Sequence, residues 1–229
     1  MIFYFVRHGH PDYKTDSLTE LGKLQAQKAA GRLRDCGIQQ IFASTNGRAM
    51  ETAQFTADML DLPIVPCDFM RELSWRSESG EEIPFNGHPW NLAESLVADG
   101  TDLADPDWRQ MYPYCKSRVV RKIAATIEGF DALMADLGYR REGKYYRVTG
   151  DNTNKTVALF SHAGSSSAVI AHLLNITFPQ ACASLHMDFT SVTTFSFSDQ
   201  QGQLICPKMI GFNDAEHIKG ITTENVFGC

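Results

Sequence analysis

The sequence predicts an α/β protein, a three-layer αβα sandwich with a mostly parallel central sheet. Three observations carry that expectation. An apolar, aromatic and β-branched run, Ile2 to Val6, opens the chain; a second strong run, Thr156 to Phe160, comes late; and between them short apolar runs alternate with segments whose apolar residues recur at helical spacing. In sandwiches of this kind ligands gather beyond the carboxyl ends of the parallel strands.

The first run is continuous rather than alternating, as in a strand covered on both faces, and it delivers Arg7-His8-Gly9-His10-Pro11 at its end. Thr19 reads as an N-cap with Glu20 in the first turn, Leu21, Leu24 and Leu33 supply an apolar face, and Gly37 stops the helix after Arg34. Gln40 to Ala43 is a second strand. The turn Ser44-Thr45-Asn46-Gly47 then opens a helix from about Arg48 to Leu60, ended before Pro63. Ile64 to Cys67 is a third strand leading to Arg71-Glu72-Leu73. Residues 74–114 lose all periodicity and carry Trp75, Trp90 and Trp108, which marks an insertion or lid; the tryptophans serve either a pocket mouth or the insertion's own core. From about Lys116 to Leu137, Val119, Val120, Ile123, Ile127, Phe130 and Met134 repeat at helical spacing, and Gly138 closes the helix. Residues 144–148 suggest an edge strand. After the late strand, Ser161-His162-Ala163-Gly164 leads into a helix through Leu174, and residues 191–198 and 203–210 read as a hairpin around Asp199-Gln200-Gln201-Gly202.

Composition sets bounds on function. The chain has 229 residues, 43% hydrophobic and 21% charged, which suits one domain over residues 1–229 carrying one insertion. Asp and Glu number 27 against 21 Lys and Arg, and a net charge of −6 repels nucleic acid and anionic membranes. No apolar run approaches the ~20 residues of a membrane span. Arg7 and His8 cut the opening run too early for a signal-peptide core, so a cytoplasmic location is expected. Six cysteines without a CxxC pair read as reduced thiols. The 191–210 hairpin offers an edge through which two copies can pair as a homodimer.

Arg7-His8-Gly9 directly after a buried N-terminal strand resembles the phosphate-binding signature of the histidine phosphatase superfamily, which includes cofactor-dependent phosphoglycerate mutases and many small phosphatases. Further segments match that family in order: Ser44-Thr45-Asn46-Gly47-Arg48-Ala49-Met50-Glu51-Thr52-Ala53 fits its Ser-x-x-x-Arg-Ala-x-x-Thr-Ala pattern, Arg71-Glu72-Leu73 its acid stretch, and Ser161-His162-Ala163-Gly164 its second His turn. Leu18-Thr19-Glu20-Leu21-Gly22 and Thr190-Ser191-Val192 are similar as well.

The resemblance implies a metal-independent phosphomonoester hydrolase acting on a small phosphorylated metabolite, with no cofactor. Arg7 and Arg48 would clamp the phosphoryl group, since a planar guanidinium fits its oxygens in bidentate fashion. His8 would attack phosphorus and become phosphohistidine, its pKa held down by the neighbouring guanidinium groups. His162 would donate to a non-bridging oxygen, and Glu72 would protonate the leaving oxygen and later take a proton from water. The sequence departs from many relatives at Lys14, where they carry a phosphate-binding Asn, and at His10, where Glu or Gln is common. Lys14 is therefore a candidate rim cation for the phosphate. Ser74-Trp75-Arg76-Ser77-Glu78-Ser79-Gly80 does not resemble the mutase continuation, which favours a phosphatase over a phosphoglycerate mutase. Two other readings compete: a metal-dependent phosphoesterase using His8 and His10 as a His-x-His pair, and a phosphate-binding scaffold without turnover. The first leaves Arg7 and the Arg48 segment unexplained, and the second leaves a complete catalytic set unused.

Overall fold

The computed structural model describes residues 1–151 and 153–221. Cys229, read as one of the reduced thiols, lies outside them.

The opening run forms β1 (Ile2–Arg7) and is followed by two short strands, β2 (Pro11–Asp12) and β3 (Ser17–Leu18), that pair with each other. Helix α1 (Glu20–Leu33) starts at Thr19, whose hydroxyl accepts from the Gly22 N–H at 3.1 Å. Gly22 faces the first loop so closely that a Cβ would lie 2.2 Å from the His10 carbonyl oxygen, so only glycine lets helix and loop meet there. Next come β4 (Gln40–Ser44), α2 (Gly47–Leu60) and β5 (Ile64–Cys67), then α3 (Pro89–Ala98), α4 (Val119–Asp136), β6 (Tyr139–Glu142), β7 (Tyr145–Val148), β8 (Thr156–Ser161), α5 (Ala163–Leu174), α6 (Phe178–Ser184), β9 (Val192–Ser196), β10 (Leu204–Ile205) and β11 (Lys208–Asp214).

The main sheet runs β11-β9-β1-β8-β4-β5. Strands β1, β8, β4 and β5 are parallel, while β9 and β11 add an antiparallel edge. Both faces of β1 are covered, which explains its unbroken apolar run. Phe3 and Phe5 pack with Phe130 and Met134 of α4 and Val169 and Leu173 of α5. Val6 packs on the other side with Leu33 of α1 and Ala53 and Ala57 of α2. Each fully buried aromatic of this kind stabilises the fold by about 1.5–3 kcal/mol. The register aligns Arg7 with Ser161 in β8, and β4 lies beyond β8 with Ser44 at its end, so three loops leave the sheet side by side.

The structure departs from the sequence reading in four places. The 74–114 segment is not wholly irregular, for it contains α3, led by Pro89 at its first position, and short 3-10 turns at Pro84–Gly87, Trp108–Gln110 and Tyr114–Lys116. Its tryptophans serve a core that the segment shares with α4, α5 and α6: Trp108 is buried with Leu92, Leu103, Tyr114, Ile123, Ala168 and Phe178, and Trp75 and Trp90 pack against that cluster. Helix α6 was not expected, although Thr177 and Gln180 form a capping box that the sequence displays. The 191–210 hairpin divides: β10 leaves to pair with β7 in a small sheet completed by β6, and only β11 returns to β9. Pro207 stands at the division, where the missing N–H breaks a continuous ladder. Strand β6 pairs with β7 to its Gly143 turn; charged Arg140, Arg141 and Glu142 had obscured it.

No helix among the described residues is long and apolar enough to cross a membrane.

Candidate active site

His8 leaves β1 with its N–H donated to the Ser161 carbonyl at 2.9 Å and its carbonyl accepting from the Thr190 N–H, so its backbone is tied to β8 and to the turn that leads into β9. The ring is 2% exposed. Nδ1 lies 2.7 Å from the Gly9 carbonyl, which can only accept, so Nδ1 carries the proton and Nε2 the lone pair. Arg48 donates from Nε to that Nε2 at 3.3 Å. Burial, then His162, Arg7 and Arg48, hold His8 well below the ordinary histidine range, and the ring is neutral at neutral pH.

Arg48 stands in the first turn of α2 and is itself buried. Its Nη1 pairs with Asp16. Thr52, one turn on, accepts from the Gly9 N–H at 3.0 Å and fixes the loop to the helix. Arg7 donates to the Met187 carbonyl at 2.5 Å, and its guanidinium lies 4.0 Å over the Phe189 ring. Phe189 also flanks His8 and His10, both at 5.6 Å, and so forms one wall of the site.

His162 leaves β8 as the residue before α5, is fully buried, and lies with its ring 5.0 Å from that of His8. Its Nε2 is 2.8 Å from Ser44 Oγ, and that hydroxyl oxygen accepts from the Asn46 N–H. Its Nδ1 is buried without a hydrogen-bond partner among the described residues, the state of a donor or acceptor awaiting a ligand. Burial, then Arg48, Arg7 and Arg71, keep this ring well below the ordinary range.

Glu72 reaches the site after β5. Its Oε1 accepts from the N–H groups of Leu73 at 2.9 Å and Ser165 at 3.2 Å. Gly164 gives it room, since a Cβ there would lie 2.5 Å from Oε1. Burial raises the Glu72 pKa above the ordinary carboxyl value against the lowering pull of the Leu73 N–H, Arg48, Arg7 and the Gly164 N–H.

The structure thus gathers Arg7, His8, Arg48, Glu72 and His162. Lys14 is not among their hydrogen-bond partners: it is exposed in the turn after β2, its N–H donates to Asp12, and its charge acts on that carboxylate. His10 is turned to Thr19, with Nδ1 2.9 Å from its hydroxyl. Among the described residues no three or more His, Cys, Asp or Glu side chains are grouped to hold a metal ion. Sequence reasoning missed Asp16, Asn46 and Phe189, which lie in loops where no periodicity marks a residue.

Two buried neutral imidazoles have a cost at low pH. The unfolded chain protonates both below about 6.5, whereas the folded chain does not, so stability present above that pH is lost as pH falls from it toward the lowered folded values. The melting temperature should fall between pH 7 and 5, and His8→Asn should flatten that fall; an unchanged slope would remove His8 from the linkage.

Comparison with known proteins agrees with this geometry. The model of the histidine phosphatase superfamily, branch 1, matches residues 3–208. Among curated proteins, the probable phosphoglycerate mutase GpmB of Erwinia tasmaniensis is 38% identical over 111 residues, 43% of this chain and 50% of that protein, so the match spans about half the relative's length. The phosphoserine phosphatase of Entamoeba histolytica is similar in fold, with a TM-score of 0.62 at 22% identity, covering 95% of this chain and 98% of the other. A mycobacterial glucosyl-3-phosphoglycerate phosphatase is similar too, with a TM-score of 0.62 at 22% identity over 93% and 99% of the two chains. With the family model matched over nearly the whole chain and its signature residues meeting at the ends of three parallel strands, the chain belongs to the histidine phosphatase superfamily.

Proposed function

We propose that the protein is a metal-independent phosphomonoester hydrolase that acts on a small phosphorylated metabolite through a phosphohistidine. The observation that carries this reading is the neutral, buried His8, with its Nε2 lone pair facing Arg48 and a carboxyl of raised pKa nearby. Arg7 and Arg48 receive the phosphoryl oxygens, and the unpartnered Nδ1 of His162 donates to one of them. The Nε2 lone pair attacks phosphorus, the ester P–O bond breaks, and Glu72 gives its proton to the leaving oxygen, which departs as an alcohol. Glu72, now a carboxylate, takes a proton from water. The water oxygen attacks phosphorus, the P–N bond breaks, and inorganic phosphate leaves with His8 restored.

A screen of phosphorylated metabolites with and without EDTA, coupled to trapping of an acid-labile phosphoenzyme, tests the proposal. Turnover that survives EDTA with phosphate as product supports it; turnover with no phosphohistidine on any substrate would sink it. A mutase is the second reading, favoured by the GpmB relatives, and it would return a phosphorylated isomer instead of free phosphate.

The two shifted groups also fix the pH profile. Turnover needs His8 unprotonated, which holds above its lowered pKa, and Glu72 protonated, which holds below its raised pKa. The profile of kcat/KM should be bell-shaped, with its acid limb set by His8 and its alkaline limb by Glu72. A rate still rising at pH 9 would contradict the Glu72 assignment.

A further inference from the structure

We propose that Asn46 and Asp16 form a positioning relay that fixes the proton donor Glu72 relative to the phosphate clamp Arg48, a role that rests on the hydrolase reading above. Asn46 occupies the N-cap of α2, yet its side chain makes no cap to its own helix. Its Oδ1 instead accepts from the Glu72 N–H at 3.1 Å, and its Nδ2 donates to Asp16 Oδ2, also at 3.1 Å. Only one orientation of the amide satisfies both bonds, because a donor faces one end and a carboxylate the other. Asp16 does the capping in its place: Oδ2 accepts from the Gly47 N–H at 2.9 Å, while Oδ1 takes Nη1 of Arg48. One unbroken chain of hydrogen bonds therefore runs from the Arg48 guanidinium through the Asp16 and Asn46 side chains to the Glu72 backbone N–H.

The neighbouring backbone is built around this chain. Asp16 holds a left-handed φ of 52°, a conformation that Asp tolerates better than most side chains. At Gly47 a Cβ would lie 2.2 Å from the Asp16 carbonyl oxygen, so the helix start is bare where the loop presses on it. The Glu72 carboxyl is held from the other side by Leu73 and Ser165, which leaves Asn46 as the side chain that anchors its backbone N–H. Losing the relay should thus displace the proton donor while leaving His8 and the charge of the clamp in place.

That separation dictates the experiment. An alkyl phosphate needs its leaving oxygen protonated, whereas p-nitrophenyl phosphate expels a stable phenolate and does not. In Asn46→Ala, kcat/KM on an alkyl phosphate should fall about tenfold to a hundredfold, while kcat/KM on p-nitrophenyl phosphate, which reads only the steps up to P–O cleavage, should change little. Asn46→Ser puts a side chain favoured at helix starts in that position but breaks both bonds, and it should give the same split; it carries the test if the alanine variant does not fold. Equal loss of kcat/KM on both substrates, or no loss on either, overturns the relay while wild-type turnover leaves the hydrolase reading intact. A wild type that forms phosphohistidine on neither substrate overturns both.

Discussion

His8→Ala should lower turnover of every substrate by about four orders of magnitude or more, with no acid-labile phosphoenzyme formed. The expectation follows from how little else in the site can serve as nucleophile. His162 is engaged at Nε2 by Ser44, and the raised pKa of Glu72 suits it to giving a proton. Arg7 and Arg48 remain in the variant, so vanadate or phosphate should still bind. Binding without turnover would separate the nucleophile from the clamp, and titration calorimetry with vanadate reads it directly. Retention of more than about a hundredth of wild-type turnover would remove His8 from the nucleophile's role.

Glu72→Gln is the second large effect, and its signature is selectivity. General acid catalysis contributes about 10²–10⁴ in rate, so kcat/KM on alkyl phosphates should fall by that order and kcat/KM on p-nitrophenyl phosphate far less. The glutamine keeps an oxygen to accept from the Leu73 and Ser165 N–H groups, and the substitution removes the proton with little change of shape. The alkaline limb of the pH profile should disappear with it, since the group whose deprotonation ends turnover is gone. Equal losses on the two leaving groups would assign the proton to another donor.

The parts of this molecule legible in the sequence are those whose physics is local. Phe3, Phe5 and Val6 announce a strand covered on both faces, and Ile123, Phe130 and Met134 announce α4, because burial imposes a period. The proposed catalytic set was legible through family resemblance, for nothing about Glu72 as an isolated residue distinguishes it from a surface carboxylate. Asp16 and Asn46 were illegible because their significance is a pair of long-range hydrogen bonds. Lys14 shows the converse: a cation at the spacing of a phosphate ligand stands exposed in a turn, where short-range Asx geometry at Asp12 governs the backbone. In 203–210, apolar content suggested one strand, and Pro207 divided it between two sheets.

The order of strands in the main sheet also bears on how the chain folds. β1 is made first, yet its partners are β8 and β9, more than half the chain later. Until they emerge from the ribosome, the apolar segment Ile2–Val6 has no sheet to join, and parallel pairing across so long a loop is slow to form. An unpaired run of this composition is prone to self-association. Arg7 and His8, proposed above to bind phosphate, end that apolar run with two polar side chains.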